Sequence, residues 1–213
     1  MIHAFVIRKF YTNMVLVLLV SMLSACAQKG DDFFAAQRYE AAADLYVQSA
    51  EQGDVDKMMR LAGMYAAGKI GYQRDYKNAV YWYKKAAGQG IVQAMFELGF
   101  IYEYGQGEVV KDDAQSEHWY KQAAEHGNAY AQYRLAALLA RQVDNYEGKA
   151  AVQSYRWFLI AERSAADCND DPLCRIVSED LFNFRWQLQR HLSSEQQSLA
   201  LQQAQQWSPA ESQ

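Results

Sequence analysis

Two nine-residue stretches of the chain are nearly identical and lie one fixed interval apart. WYKKAAGQG begins at Trp82 and WYKQAAEHG begins at Trp119, so the interval is 119 − 82 = 37 residues. The glycines Gly53, Gly90 and Gly127 follow one another at the same interval. A period between about 20 and 50 residues is typical of proteins built from stacked copies of one small unit. The repeat therefore constrains the fold more than any other feature of the sequence.

Further copies flank the two matched stretches. Leu135 follows Leu98 by 37 residues, and a degenerate copy, LYVQSAEQG, occupies residues 45–53. The last copy contains one extra residue, because Trp157 follows Trp119 by 157 − 119 = 38 residues. The repetition thus extends well beyond the first two stretches.

Within one copy, the apolar residues follow the period of an α-helix. Ala94, Leu98 and Ile101 fall at positions i, i+4 and i+7. Gly105 interrupts this helix, and Asp112 is placed to cap the next one with its carboxylate. Each copy is therefore predicted to be a helix hairpin. The predicted helices lie near 32–37, 39–52, 55–67, 75–89, 91–104, 112–126, 129–141 and 147–166.

Such hairpins bury their apolar faces only by stacking on their neighbours. The predicted fold is all-α: a right-handed α-solenoid of stacked helix hairpins, about 37 residues each, over residues 32–166. Recurring alanines and glycines let helix backbones approach closely, and large aromatic side chains fill the remaining space. Trp82 and Trp119 are expected to be equivalent buried wedges, and the replacement of either by Ala is expected to cost about 3–5 kcal/mol.

The region after the repeat is predicted to close the last hairpin. Residues 167–207 are expected to form C-terminal capping helices, since a terminal repeat otherwise exposes its apolar face. Ser194 and Gln197 have the spacing of a capping box. The alternative for this region is a helix that binds a partner. Residues 208–213 are predicted to be a flexible tail.

The repeated residues also resemble a known family. The motifs LGxxY from Leu98, GxG from Gly105 and WYKxAAxxG from Trp119, with Asp112 between them, resemble the Sel1-like repeat, a relative of the tetratricopeptide repeat. The resemblance extends over roughly residues 32–166. It implies a non-catalytic scaffold that binds a protein or peptide on its concave face.

The N-terminus has the pattern of a secretory signal. Arg8 and Lys9 precede a short apolar run, which ends in LSAC at Cys26. Residues 1–25 are predicted to be a signal peptide, and residues 26–31 a lipidated N-terminus and tether. The alternatives are a simple secreted protein and an uncleaved membrane anchor.

LSAC resembles the lipobox of bacterial lipoproteins. The resemblance implies that Cys26 carries palmitate and other acyl chains, which attach the protein to a membrane. Ala27 stands where an Asp would retain a lipoprotein at the inner membrane. The expected location is therefore the bacterial cell envelope, on the outer membrane and facing the periplasm.

Charge and cysteine content agree with that location. Cleavage removes two basic residues, so 21 − 2 = 19 Lys and Arg face 25 Asp and Glu, a net charge of −6. An acidic chain without a basic cluster is a poor nucleic-acid binder. Cys168 and Cys174 remain as an even pair in an oxidising compartment and are predicted to form a disulfide. The alternative is two free or buried thiols.

The sequence contains no recognisable catalytic or metal-binding motif. His118 and His126 lie eight residues apart, too far for a two-ligand clamp on one helix. We therefore expect no metal, cofactor or small-molecule ligand and no enzyme activity. Two alternatives are kept. One is an enzyme similar to the weakly β-lactam-hydrolysing, cysteine-rich repeat relatives, although the chain lacks S-x-x-K; the other is a structural protein that binds the cell wall.

A partner is expected on the first helix of each hairpin. Residues at equivalent positions of successive copies combine charge with aromatic rings, which suits a protein or peptide partner. The alternative is ordinary solvated surface. The predicted partner-binding residues are Arg60, Phe96, Glu97, Phe100, Tyr133 and Arg134.

Overall fold

The structure is a computed structural model that describes residues 28–71, 73–141, 148–166 and 188–210. Within these ranges the chain is helical and contains no β-strand. The helices are α1 (28–35), α2 (Tyr39–Glu51), α3 (Val55–Ala66), α4 (Tyr76–Ala87), α5 (Val92–Tyr104), α6 (Asp113–Glu125), α7 (Ala129–Arg141), α8 (Gly148–Ala166), α9 (188–191) and α10 (Ser194–Gln205).

The chain divides into two compact units, Met1–Lys85 and Ala86–Gln213. In the first unit, α2 packs against α3. In the second unit, α5 packs against α6 and α7, α7 packs against α8, and α8 packs against α10. The helix bounds lie within a few residues of those predicted, except that α1 is already helical at residue 28. The packing of α5 on α6 and of α7 on α8 confirms two of the predicted hairpins.

Equivalent side chains start the equivalent helices. The carboxylate of Asp112 accepts a hydrogen bond from the backbone N–H of Gln115 at 2.9 Å, as predicted. Asp75, one repeat earlier, accepts from the N–H of Asn78 at the same distance. Each such cap stabilises its helix by about 1 kcal/mol. The period therefore fixes helix starts as well as the apolar face.

Two positions require glycine because a Cβ atom would clash there: one lies in α5 and the other at its C-terminal end. At Gly99 a Cβ atom would lie 2.5 Å from the ring of Tyr120, so only a glycine lets α6 pack this closely. Gly105 ends α5 in the left-handed conformation with φ +62°, and a Cβ there would lie 2.7 Å from the backbone nitrogen of Lys111. The mid-hairpin turn was correctly placed by the sequence.

The aromatic residue that is buried in every copy is the one after the tryptophan position. Trp82 and Trp157 are also buried, but Trp119 is only partly buried. The prediction that Trp82 and Trp119 are equivalent buried wedges is therefore wrong for Trp119. The recurring buried ring, at most 6% exposed, is that of Tyr46, Tyr83, Tyr120 and Phe158.

The residue that caps the start of α10 differs from the prediction by one position. Ser193, not Ser194, is the N-cap of α10 and forms the capping box with Gln196. Gln197 instead donates hydrogen bonds to the carbonyl oxygens of Gln189 and Leu192, at 3.0 and 2.9 Å. The side chain thereby joins α10 to the end of α9.

The beginning of the predicted flexible tail is attached to the second unit. The N–H of Ala210 donates to the carbonyl oxygen of Glu125 at 2.7 Å. Just before it, the ring of Trp207 lies edge-on to Trp157 with centroids 6.0 Å apart, and Arg163 donates to the Trp207 carbonyl at 3.1 Å. These contacts place the start of the segment on the second unit, and its flexibility stays a prediction.

Several predictions fall on residues outside the described ranges. They concern the signal peptide and Cys26, the Cys168–Cys174 disulfide, residues 167–187 of the predicted capping helices, and the last three residues of the tail. Among the residues that the structure does describe, no helix is both long and apolar enough to cross a membrane.

Candidate partner-binding site

The second unit exposes aromatic side chains along one side of α5. Phe96, Phe100 and Tyr104 recur every fourth residue, so they lie above one another on the helix. Phe100 is 37% exposed and Tyr104 is 49% exposed, and their ring centroids are 4.8 Å apart. These two rings therefore leave adjoining aromatic area in water and are not part of the core.

The inner end of this row is anchored in the unit. The Phe96 ring is partly buried and lies 5.8 Å from the ring of Tyr120 and 6.1 Å from that of Tyr130. These contacts fix α5 against α6 and α7. The two exposed rings therefore project from a rigid base.

A buried carboxylate lies directly beneath the exposed end of the row. The Glu103 side chain is 3% exposed and accepts a hydrogen bond from the Tyr120 hydroxyl at 2.9 Å. Arg134 and Arg141, both on α7, reach its two oxygens at 2.5 Å each. A buried carboxylate is tolerated only with such partners, because burial removes its hydration.

The two arginines carry the cluster out to the surface. The Arg134 guanidinium also donates to the Tyr104 hydroxyl and lies 5.3 Å from the Tyr104 ring centroid. The Arg141 side chain is 55% exposed. Together with Phe100, Tyr104 and Glu103, these arginines form what we call the α5–α7 surface.

The pKa values in this cluster reflect its burial and pairing. Burial alone would lower the pKa of Arg134, but the hydrogen bonds to Glu103 and Tyr104 and the electrostatic interactions with Tyr120 and Glu103 together outweigh it, so that pKa is raised. Burial, followed by the negative charge of Glu103, raises the pKa of Tyr120. Tyr120 thus remains a neutral hydrogen-bond donor and Arg134 a permanent cation.

Glu103 is specific to its copy of the repeat. The equivalent positions, 37 residues before and after, are Ala66 and Ala140. Glu103 is not among the residues predicted from the sequence, although an acid where two other copies have alanine is a visible signal. Tyr104 and Arg141 are likewise outside the predicted site.

The structure brings most of the predicted residues onto the same two helices. Glu97 lies on α5 and accepts a hydrogen bond from Gln93 at 2.8 Å. Burial raises the pKa of Glu97, and the Gln93 hydrogen bond only partly offsets it. Tyr133 is partly buried on α7. Phe96, Phe100 and Arg134 have been described above, and whether any of these residues binds a partner stays a prediction.

Arg60 is the predicted residue that belongs to the first unit. Its Nε donates to Asp56 at 2.9 Å, and its guanidinium lies 5.8 Å from the Phe34 ring centroid. The hydrogen bond to Asp56 raises the pKa of Arg60 against the effect of burial. The side chain is therefore engaged within its own unit.

The first unit contains a related charge cluster. Asp31 on α1 accepts from the Tyr46 hydroxyl at 2.7 Å and from Lys57 at 2.9 Å. Tyr46 and Tyr120 occupy equivalent positions two repeats apart, since 120 − 46 = 74. In each unit, an acid on the first helix of a hairpin thus accepts a hydrogen bond from a tyrosine on the second helix of the same hairpin. The same acid also pairs with a cation on the next hairpin.

Because this cluster of an acid, a tyrosine and a cation occurs in both units, its acid and tyrosine have a structural role. What the second unit adds is a second arginine and two adjacent exposed rings. Phe100, Tyr104 and Arg141 are thus the residues in which the second cluster differs from the first.

A shallow cleft lies elsewhere on the first unit, next to the turn between α1 and α2. Its volume is about 520 Å³. Lys69 at its edge lies 4.8 Å from the Tyr39 ring centroid. No nucleophile–base pair is present among its lining residues, which are Gln37, Arg38, Tyr39, Glu40, Ala41 and Lys69. Across the described residues, no group of three or more His, Cys, Asp or Glu is placed to hold a metal ion.

The described arrangement resembles proteins that are already known. The family model described as Sel1 repeat matches residues 22–54, 58–91 and 92–128. The first matched segment includes α1. In this first copy, the resemblance seen in the sequence is weaker than in the later copies. The hairpin of α7 and α8 lies beyond the last match. No curated protein matches the sequence.

Two solved structures resemble the chain. One is c5321, a protective antigen present in uropathogenic Escherichia coli strains displaying an SLR fold, with 21% identity and a TM-score of 0.51. That similarity covers 86% of this chain and 52% of c5321, so the chain spans about half the length of that protein.

The other is a Sel1 repeat protein from Oxalobacter formigenes, with 28% identity, a TM-score of 0.47, and coverage of 63% of this chain and 95% of that one. The likeness to c5321, together with the three matched repeats, confirms the predicted fold class of stacked helix hairpins. The chain contains three Sel1 repeats.

Proposed function

We propose that this protein is a non-catalytic scaffold that binds a protein partner at the α5–α7 surface. Proteins built from Sel1 repeats typically mediate protein–protein interaction. The observation that supports this particular surface is the exposed pair Phe100 and Tyr104 beside Arg134 and Arg141. Aromatic residues and arginine are the types that most often dominate binding energy at interfaces.

Preorganisation supports the same proposal. Both guanidiniums are held by one buried carboxylate, and Tyr104 is fixed by its contact with Arg134. Side chains that are already ordered lose less conformational entropy when a partner binds. The surface therefore meets a partner in nearly its bound form.

The proposal includes a membrane anchor. Lipid on Cys26 would hold the first unit close to the bilayer, because α1 is already helical at residue 28. The LSAC motif and the preceding apolar run support this location in the bacterial envelope. Incorporation of labelled palmitate by the wild type, but not by Cys26→Ser, is the expected result; equal incorporation by both would overturn the anchor.

The scaffold function is tested by quantitative co-purification from detergent-solubilised cells. We expect Phe100→Ser to reduce the recovery of a specific partner by at least ~10-fold, the loss typical of a hot-spot residue. Leu199→Ser is the matched control, since Leu199 is 46% exposed on α10, away from this surface. Equal recovery with all three proteins would contradict the proposal.

A further inference from the structure

We infer that the partner presents a carboxylate within a few residues of an aromatic or large aliphatic side chain. The inference rests on the proposed function and specifies the chemistry that the α5–α7 surface recognises. It concerns a short peptide segment of a protein partner.

The charge of the α5–α7 surface favours an acidic partner. Two guanidiniums share one carboxylate at this end of the surface, so the cluster of Arg134, Arg141 and Glu103 carries one excess positive charge. The sequence of α7, AYAQYRLAALLAR, adds no acid to oppose it. The excess charge is accessible, because the Arg141 side chain is 55% exposed. A carboxylate of the partner would pair with a guanidinium that is already positioned.

The opposite end of the surface limits where that carboxylate can lie. Glu97 precedes Phe100 by one turn of α5 and carries an acidic group of its own. Like charges placed together weaken binding. The carboxylate of the partner is therefore expected at the Arg141 end, with apolar contacts towards Phe100.

The pair of exposed rings favours an apolar side chain on the partner. Phe100 and Tyr104 lie in mutual contact and leave substantial apolar area in water. An aromatic or aliphatic side chain that covers both rings gains burial without displacing a polar group.

The length of the row of rings also limits the partner. The row from Phe96 to Tyr104, whose outer two rings belong to the α5–α7 surface, spans eight residues of helix, or about 12 Å at 1.5 Å per residue. An extended peptide covers this distance in about four residues. The surface thus fits a short acidic and apolar motif rather than a whole domain face.

The test is selection from a random 12-residue peptide library with the purified, lipid-free chain. We expect the recovered peptides to be enriched in Asp or Glu near Phe, Trp or Leu, relative to the unselected library. Fluorescence anisotropy then gives the dissociation constant of the most enriched peptide, and we expect its affinity to fall as salt is raised.

Arg141→Gln is the diagnostic variant, because it removes the exposed charge yet keeps a side-chain N–H for Glu103. It is expected to weaken binding roughly 5-fold, and Phe100→Ser roughly 10-fold. The matched controls are Lys121→Gln, an exposed cation on α6, and Val110→Ser, at a side chain that is 81% exposed. Both controls are expected to bind as the wild type does, and circular dichroism melting verifies that every variant is folded.

Three results would overturn the inference. They are enrichment of neutral or basic peptides, unchanged affinity in Arg141→Gln, and recovery of the same peptides by wild type and Phe100→Ser. None of them contradicts the proposed scaffold function, which the co-purification experiment decides independently.

Discussion

The hydroxyl of Tyr120 on α6 donates a hydrogen bond to the buried carboxylate of Glu103 on α5 at 2.9 Å. The tyrosine belongs to the repeat, whereas the acid is peculiar to one copy. The contact therefore joins a repeated core residue to the group that orders Arg134 and Arg141. This pair of residues therefore connects the core of the repeat to the α5–α7 surface.

The first prediction concerns this hydrogen bond. Tyr120→Phe is expected to lower the free energy of unfolding by about 1–3 kcal/mol, because it leaves a buried carboxylate short of a donor. Urea denaturation followed by circular dichroism measures the change. The cost is expected to shrink in a Glu103→Gln background, and strict additivity of the two substitutions would contradict the coupling.

A second prediction compares two helical glycines. Gly99→Ala is expected to destabilise the fold by about 1–3 kcal/mol, since the new methyl group would overlap the buried Tyr120 ring. Gly63→Ala is the matched substitution on α3, where a Cβ meets nothing within 4 Å. It is expected to stabilise by about 0.5–1 kcal/mol. Thermal unfolding of both variants checks the signs, and a loss of equal size at both sites would contradict the close approach of α5 and α6.

Much of the fold could be predicted because the period reports equivalence directly. Helix bounds, the Asp112 cap and the end of α5 at Gly105 all follow from spacing and local chemistry. The depth to which a side chain is buried does not follow from spacing, because equivalent positions can have different neighbours. For this reason the expectation that Trp119 would be as buried as Trp82 was wrong.

The errors at single residues have equally specific causes. Ser193 and Ser194 both stand three residues before a glutamine, so the sequence SSEQQ fits a capping box in either register. The candidate site was predicted only in part, since Glu103 and Arg141 are identified by a contact between helices. Spacing along the chain contains no record of that contact.

A third prediction separates the two tryptophans. Trp82 is 4% exposed, and Trp82→Ala is expected to cost about 3–5 kcal/mol. Trp119 is only partly buried, so Trp119→Ala is expected to cost less, roughly 1–3 kcal/mol. Chemical denaturation of the two variants ranks them directly. Equal losses would restore the equivalence that the sequence suggested.

The fourth prediction is a pH dependence at Glu97. Burial raises the pKa of this carboxyl above its ordinary value of 4.5, so its ionisation opposes folding at neutral pH. Glu97→Gln is therefore expected to be more stable than the wild type at pH 7. The gain should shrink as the pH falls through the raised pKa and vanish below about 4.5. A gain that is independent of pH would exclude this explanation.

The fifth prediction has the opposite sign and concerns Asp31. Burial would raise its pKa, but hydrogen bonds from Tyr46 and Lys57, together with the positive charges of Lys57 and Arg60, outweigh burial, so the pKa lies below its ordinary value of 3.8. Asp31 then contributes stability above pH 3.8 that is lost as the pH falls through the lowered pKa. Asp31→Asn is expected to lose stability at neutral pH, with the difference closing in strong acid. Asp32→Asn, at an exposed neighbour on α1, is the control and should change little.

The claim that the α5–α7 surface binds a protein partner is tested most directly by site-specific photocrosslinking in intact cells. p-Benzoylphenylalanine is placed at Phe100, at Tyr104 and, as the control, at the equally exposed Leu199 on α10. The account predicts one discrete protein adduct from Phe100 and Tyr104 that is absent from Leu199. Adducts of equal yield from all three positions, or from Leu199 alone, would contradict it.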